Sequence, residues 1–151
     1  MRELDRIADE LHHAMTGGAW YGPALKELLV GIDGTDAFQR VPGAPHTIHE
    51  LVLHITVWLD VVHRRLHGEV SSPTPAEDWP EAKTGQLTWT DALRRLDEAA
   101  ARLQDTLRTL SDDVLTRTVV GKEYDAYHML HGMVQHTVYH TGQIALLKRL
   151  L

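Results

Sequence analysis

Apolar residues recur at the spacing of an α-helix in four long segments of this 151-residue chain. In the first segment, over about residues 2–15, they lie three and four positions apart, as a helix with one buried face requires. The same period recurs over residues 47–66, 91–110 and 125–151, and no segment carries a convincing pattern for a sheet. These features predict an all-α fold, an antiparallel four-helix bundle.

The segments between the long helices carry the glycines and prolines that interrupt a helix. Gly17-Gly18 ends the first helix, and Gly22-Pro23 starts a short second piece, because proline suits the first helical position. Residues 34–45 and 71–87 are predicted to be loops, since prolines and glycines concentrate there. Residues 118–123, with two valines and a glycine, are predicted to form a brief extended excursion.

Two of the long helices have recognisable starting signals. Thr47-Ile-His-Glu50 matches a capping box, in which the threonine side chain bonds the backbone and the glutamate reaches back. Thr90 is the predicted N-cap of the helix that follows the long loop.

Composition and charge restrict the class of protein. With 43% hydrophobic and 24% charged residues, the chain is ordinary for a globular protein, and we expect one domain over residues 1–151. The net charge of −6 argues against nucleic acid or an anionic membrane as partner. No apolar run approaches the ~18 residues of a membrane span, and the N-terminus lacks the apolar core of a signal peptide. We therefore expect a cytoplasmic protein.

Cysteine is absent, whereas histidine occurs eleven times. A chain without cysteine has no disulfide, thiolate zinc site or cysteine nucleophile. Any metal ion must then be held by histidine, carboxylate or backbone groups. Histidine is the commonest of these ligands, so the direction in which each histidine points becomes the deciding question.

Two histidines near the C-terminus share the apolar face of the last helix. A helix advances ~100° per residue, so His136 and His140 differ by ~40° in direction. Met133 and Ile144 lie on or near the same face, which predicts that both histidines point into the core. Two imidazoles at this spacing can reach one metal ion.

A third inward histidine is predicted in the helix over residues 47–66. His54 lies within the apolar stripe of that helix, whereas His49 is ~140° away and cannot share its metal. The string from His49 to His54 has one residue too many for the zinc-protease pattern H-E-x-x-H, which excludes that interpretation. Zn²⁺, Ni²⁺ and Fe²⁺ all accept imidazole, and affinity alone does not choose among them.

From the residues alone, two simpler interpretations remain open. The histidines could be hydrogen-bonded core residues of a metal-free dimeric bundle, or a metal could tie the helices together without catalysis. Three buried neutral imidazoles would leave polar nitrogens in need of partners, at ~1–3 kcal/mol for each one left unsatisfied. Convergence of the three rings would therefore favour a metal, but helical periodicity does not show convergence.

The motifs on these two helices resemble those of the DinB-like family, also called the DinB/YfiT-like metalloenzymes. The resemblance rests on "TIHELVLHITVW" at residues 47–58 and "QHTVYHTGQIALLKRL" at residues 135–150, and it covers essentially the whole chain. Its most specific part is H-x-x-x-H-x-G-Q. It implies a four-helix bundle, commonly dimeric, in which His54, His136 and His140 hold a divalent metal. Nickel or zinc is favoured, with iron as a third choice.

The same resemblance implies an activity. The better-understood members are metal-dependent transferases that use low-molecular-weight thiols such as mycothiol, bacillithiol or glutathione. The implied function is thus a thiol-dependent S-transferase, or a related detoxifying or hydrolase-like metalloenzyme, that acts on a small molecule as a homodimer. A metal in an open His₃ site can lower the pKa of a bound thiol or water, which suits a chain without cysteine.

Further side chains are candidates for the surroundings of this site. Gln143 lies ~20° from His136 on the last helix and is a candidate to orient an imidazole or a metal-bound water. Glu50 is four residues before His54 and could lean toward the site, although the capping role is the stronger interpretation. The candidates for the wall of a pocket are Trp20, Tyr21, Trp58, Trp89 and Tyr139, although for each one taken singly core packing is the stronger interpretation.

Overall fold

The computed structural model describes residues 1–80 and 88–151, and the regular structure in these ranges is helical. The α-helices are α1 (Glu3–Thr16), α2 (Leu25–Leu29), α3 (Gly34–Phe38), α4 (Ile48–Leu66), α5 (Pro75–Asp78), α6 (Trp89–Thr109) and α7 (Ala126–Leu150). A 3₁₀ turn, Asp112–Val114, follows α6. Among the described helices, none is both long and apolar enough to cross a membrane. The predicted all-α fold is confirmed.

The four long helices form the predicted bundle. Helix α4 packs against α6 and α7, and α1 packs against the same two helices. Each long helix supplies fully buried apolar side chains, among them Leu4, Leu59, Leu103 and Ile144. Truncating such a leucine to alanine typically costs about 2–5 kcal/mol, so this core accounts for much of the stability of the fold.

Helices α4 and α7 run antiparallel, as predicted, but α4 and α6 run parallel. The ring of His49, near the start of α4, lies 6.2 Å from the ring of Trp89, at the start of α6. Near the ends of the same helices, the side chain of His63 lies 3.0 Å from the hydroxyl of Thr106. Because α4 and α7 run antiparallel, the start of α4 lies beside the C-terminal half of α7.

The helix starts follow capping chemistry. The hydroxyl of Thr47 accepts from the amide of Glu50 at 3.1 Å and the carboxylate of Glu50 accepts from the amide of Thr47 at 2.9 Å, which confirms the predicted capping box. The prediction of Thr90 as the next N-cap was wrong. Thr88 caps α6 instead, because Asp91 stands three residues after it and completes a second capping box.

Each of the two predicted loops contains a short helix. In the first, the carboxylate of Asp33 accepts from the amide of Asp36 at 3.0 Å and starts α3. In the second, Thr74 and Glu77 form a capping box around Pro75, which starts α5. The loop predictions were therefore wrong at these positions. Residues 81–87 of the second predicted loop lie outside the described residues.

The predicted excursion before α7 is a tight reversal of the chain. Thr118 and Asp125 form an isolated antiparallel bridge, and the amide of Val119 donates to the carbonyl of Tyr124 at 3.0 Å. Gly121 has φ +74°, which side chains rarely adopt. This reversal delivers Tyr124 to the start of α7, close to the end of α4.

One buried histidine of α4 is poorly accommodated. His49 is fully buried, and neither of its ring nitrogens has a hydrogen-bond partner among the described residues. Its ring stacks on Phe38 at 4.1 Å. Burial lowers its pKa, so it is held as a neutral, unsatisfied imidazole.

Replacing this histidine should therefore stabilise the protein. His49→Leu has nearly the same volume and removes two unsatisfied polar atoms, each of which costs about 1–3 kcal/mol when buried. We expect the free energy of unfolding, measured by urea denaturation at pH 7, to rise by about 1 kcal/mol or more. A variant less stable than the parent would show that the imidazole has hydrogen-bond partners that stabilise it.

Candidate metal centre

The structure brings together the three histidines that the sequence singles out. Nε2 of His54, on α4, lies 3.0 Å from Nε2 of His136, on α7. Nε2 of His140 lies 3.1 Å from the same atom. His54 and His140 are buried and His136 is half-buried, and their donor atoms all lie within 4.8 Å of one another. The three rings therefore converge in the folded chain, which helical periodicity alone does not establish.

Hydrogen bonds at the far side of two rings orient their lone pairs. Nδ1 of His54 lies 2.8 Å from the backbone carbonyl oxygen of Asp78 and 3.0 Å from its carboxylate, so we assign the proton to Nδ1. Nδ1 of His140 donates in the same way to Oε1 of Gln143 at 2.6 Å. Each of these imidazoles therefore directs the lone pair of its Nε2 into the cluster.

This arrangement is unfavourable for three imidazoles alone. If Nε2 of His136 is protonated, it can donate a good hydrogen bond to the Nε2 lone pair of either His54 or His140, but not to both. If Nε2 of His136 is not protonated, three lone pairs face one another. Nδ1 of His136 is buried and has no partner in residues 1–80 and 88–151. A cation between the rings would satisfy all three Nε2 atoms at once.

The spacing of the nitrogens also suits a metal ion. Metal–nitrogen bonds of about 2.0–2.1 Å place neighbouring ligand nitrogens about 2.8–3.0 Å apart in octahedral geometry and about 3.3–3.4 Å apart in tetrahedral geometry. The observed separations of 3.0 and 3.1 Å lie between these two values. Imidazole is a good ligand for zinc, nickel and iron. The residues present therefore fit a divalent cation.

Electrostatics keeps the three rings neutral. Burial, followed by repulsion from His140 and His54, lowers the pKa of His136 to about 3. Burial also lowers the pKa of His54 and of His140. Neutral imidazole is the form that binds metal, so the cluster is in its ligand form at neutral pH.

An aromatic stack holds His54 from the side. The ring of Trp79 lies parallel to that of His54, with centroids 3.8 Å apart and an interplanar angle of 4°. The opposite face of Trp79 carries the ring of His46 at 3.5 Å. Nε1 of Trp58 donates to the carboxylate of Asp78 at 2.7 Å. This bond holds Asp78 in place as the hydrogen-bond acceptor of His54.

Sequence reasoning missed Asp78, Trp79 and His46. Asp78 and Trp79 lie at the end of α5, in a segment interpreted as a loop, and His46 lies between a predicted loop and α4; at none of these positions does a helical period show the direction of a side chain. One signal was available: Thr74, Pro75 and Glu77 together mark a helix start, and that short helix delivers Asp78 and Trp79 to His54.

The histidines open onto a pocket of about 630 Å³ between α4 and α7. Trp58 and Tyr139, which the sequence proposed as wall residues, both line it. Among its described lining residues, Trp20 and Tyr21 do not occur; Trp20 is 100% exposed. Trp89 is a core residue whose Nε1 donates to the carbonyl of Ile32 at 2.8 Å.

The two predicted supporting residues have different positions. Gln143 contacts the cluster through its bond to His140 and also lines the pocket. Glu50 caps α4 instead, and its second carboxylate oxygen pairs with the guanidinium of Arg40 at 2.7 Å. Its carboxylate is thus engaged away from the histidines.

Most of the chain matches a known protein family. A family model described as the DinB superfamily matches residues 22–144. The matched range includes His54, His136 and His140. No curated protein matches the chain.

The depressed pKa of His136 predicts how the metal-free protein responds to acid. Because its pKa of about 3 in the folded state lies below the ordinary 6.5, the unfolded chain takes up a proton first as the pH falls. Its contribution to stability is therefore complete above about pH 6.5 and is lost as the pH falls toward 3. Urea denaturation of chelator-treated protein should show a loss of about 1–2 kcal/mol from this group between pH 7 and pH 5. If the free energy of unfolding of a His136→Asn variant falls with pH as steeply as that of the parent, the loss does not come from His136.

Proposed function

The chain belongs to the DinB superfamily, and from its histidine cluster we propose that it is a metal-dependent enzyme that transfers a low-molecular-weight thiol to a small electrophile. The observation that carries the proposal is the convergence of three imidazole nitrogens at the wall of an open pocket. Family membership supports a homodimeric assembly as a further part of the proposal. A cytoplasmic location is proposed from the sequence, which has no apolar run of membrane-spanning length and no apolar core of a signal peptide at the N-terminus.

In this proposal His54, His136 and His140 hold the cation, with nickel or zinc favoured over iron. Asp78 and Gln143 keep Nδ1 of His54 and of His140 protonated, so that both rings present a lone pair. A bound divalent cation would lower the pKa of a thiol or of water and so supply a nucleophile at neutral pH. The thiol must come from outside, because the chain has no cysteine.

The surroundings of the cluster favour a reactive over a structural site. Structural zinc sites are typically closed by four protein ligands, whereas reactive ones have three and leave a position open. Within the described residues the cluster has three histidines, and the pocket lies beside them. Trp58 and Met133 contribute apolar surface to that pocket, which would limit access of water to the open position.

Metal binding tests the first half of the proposal. Untagged protein, stripped with chelator and dialysed against Zn²⁺ or Ni²⁺ at pH 7.5, should retain one ion per chain by elemental analysis. His136→Ala should lose it, because two imidazoles remain. His128→Ala is the matched control, since it removes an exposed histidine of the same helix and should leave the ion bound. No retained metal in the parent protein would overturn the proposal.

Thiol binding tests the second half. Glutathione, bacillithiol and mycothiol are each added to the Co²⁺-substituted protein, and the visible and near-ultraviolet spectrum is followed. At least one thiol should produce a thiolate-to-metal band, and that thiol should react with a model electrophile such as monochlorobimane faster in the presence of the enzyme. A metalloprotein whose spectrum no thiol changes would leave metal binding intact but remove the transferase activity.

Asp78 offers a test of how the cluster is oriented. Asp78→Ala removes the carboxylate that accepts from His54 and Trp58 but keeps the backbone carbonyl, so we expect metal affinity to fall about tenfold. Competition with a chromogenic chelator measures the affinity directly. Asp60→Ala on α4 is the control, because that carboxylate pairs with Arg102 on α6 at 2.8 Å. Equal affinity in the Asp78 variant and the parent would show that the carboxylate does not support the site.

A further inference from the structure

A buried arginine lines the same pocket, away from the histidines. Arg65 is 6% exposed and lies on α4, eleven residues after His54. Eleven residues are about three helical turns and bring a side chain back to within ~20° of the same direction. Both side chains therefore point toward the pocket from one face of α4.

Neutral oxygen atoms account for only part of the hydrogen-bonding capacity of this guanidinium. Nε and Nη2 donate to the carbonyl of Ser71 at 2.9 and 2.6 Å, and Nη1 donates to the hydroxyl of Tyr124 at 2.9 Å. These bonds use three of its five N–H groups. In residues 1–80 and 88–151, no carboxylate forms an ion pair with it.

A purely structural role of Arg65, in holding the Ser71 segment, does not explain why this buried side chain carries a charge. Holding the carbonyl of Ser71 requires hydrogen-bond donors, and neutral side chains also supply donors. A guanidinium always brings a positive charge, and burying a charge is costly unless an opposite charge meets it. Trp58 compensates in part, since Cζ of Arg65 lies 5.6 Å from its ring centroid in a cation–π contact.

Trp58 also relates this arginine to the histidine cluster. Its ring centroid lies 6.4 Å from that of His54 and 5.8 Å from that of His136. Together with the 5.6 Å contact to Arg65, this places the guanidinium carbon no more than about 12 Å from the imidazole of His54. A single small molecule can span that distance along the pocket.

The charges that line the pocket are separated along its length. Its acidic lining residue among those described, Asp78, lies at the histidine end and is engaged by His54 and Trp58. At the other end, Tyr124 accepts a hydrogen bond from Arg65, so its own hydroxyl proton can be donated elsewhere. The Arg65 end is therefore positively charged and rich in donors.

We propose that Arg65 and Tyr124 form a carboxylate-binding subsite, so that the substrate is a small electrophile with a carboxylate at one end and its reactive carbon at the histidines. This proposal rests on the proposed function and narrows its substrate class. Two N–H groups of a planar guanidinium match the two oxygens of a carboxylate. A phosphate monoester carries more charge than the one cationic side chain at this end offsets.

The subsite can be tested without metal. The probe is 4-phenylbutyrate, compared with the neutral 4-phenylbutyramide, and binding to chelator-treated protein is followed by calorimetry and by Trp fluorescence. We expect the carboxylate to bind at least about tenfold more tightly than the amide, because charge-assisted bonds to a buried guanidinium distinguish them. Arg65→Gln should abolish this preference. Arg64→Gln, which changes the exposed neighbouring arginine, is the matched control and should keep it.

Tyr124→Phe provides a second test of the subsite that does not depend on whether the Arg65 variant folds. It removes one hydroxyl and should reduce the preference for carboxylate by about threefold to tenfold. Equal binding of 4-phenylbutyrate and 4-phenylbutyramide to the parent protein would overturn the proposal. So would an undiminished preference for the carboxylate in every one of the two variants that folds. Tighter binding of phenyl phosphate than of 4-phenylbutyrate would overturn the assignment to carboxylate. Since the assay uses metal-free protein, its result is independent of whether the thiol or metal tests of the proposed function succeed.

Discussion

Hydrogen bonds at the back of two histidine rings fix the orientation of the cluster on which the rest of the site depends. Asp78 and Gln143 accept from Nδ1 of His54 and of His140, and thereby direct two Nε2 lone pairs toward Nε2 of His136. Without these acceptors either ring could turn its N–H inward, and the cluster would be a set of ordinary hydrogen bonds. With them, the rings are preorganised for a cation. The antiparallel pair α4 and α7 supplies the three rings and the acceptor Gln143, and the short helix α5 supplies the acceptor Asp78.

The pocket extends this arrangement along the same pair of helices. His54, Trp58 and Arg65 follow one another along one face of α4, so the wall changes from metal-ligating to aromatic to cationic within three turns. The proposed roles form one sequence of functions along this wall: a cation at the histidines, an apolar middle section beside Trp58, and a carboxylate held at Arg65. A substrate would be oriented by its two ends before any bond is made.

Helical periodicity allowed the central part of this site to be predicted from sequence. On α4 and α7, direction follows from residue number, so His54, His136 and His140 could be identified, and the capping box at Thr47 marked where α4 begins. The flanking segments follow no such period. Asp78 and Trp79 were missed because one helical turn in a proline-rich segment decides their direction. Trp20 was proposed as a wall residue but is fully exposed, since aromatic character alone does not indicate which surface a loop residue contacts.

The proposed function depends on the binding of one metal ion by three imidazoles beside an open pocket. X-ray absorption at the zinc or nickel edge of the loaded protein reports the ligands of the bound ion and is therefore the decisive experiment. We expect three imidazole nitrogens at about 2.0–2.1 Å from the ion, with the remaining ligands being exchangeable oxygen or, after addition of thiol, sulfur. A shell without the multiple-scattering signature of imidazole, or one closed by protein ligands that added thiol leaves unchanged, would contradict this expectation.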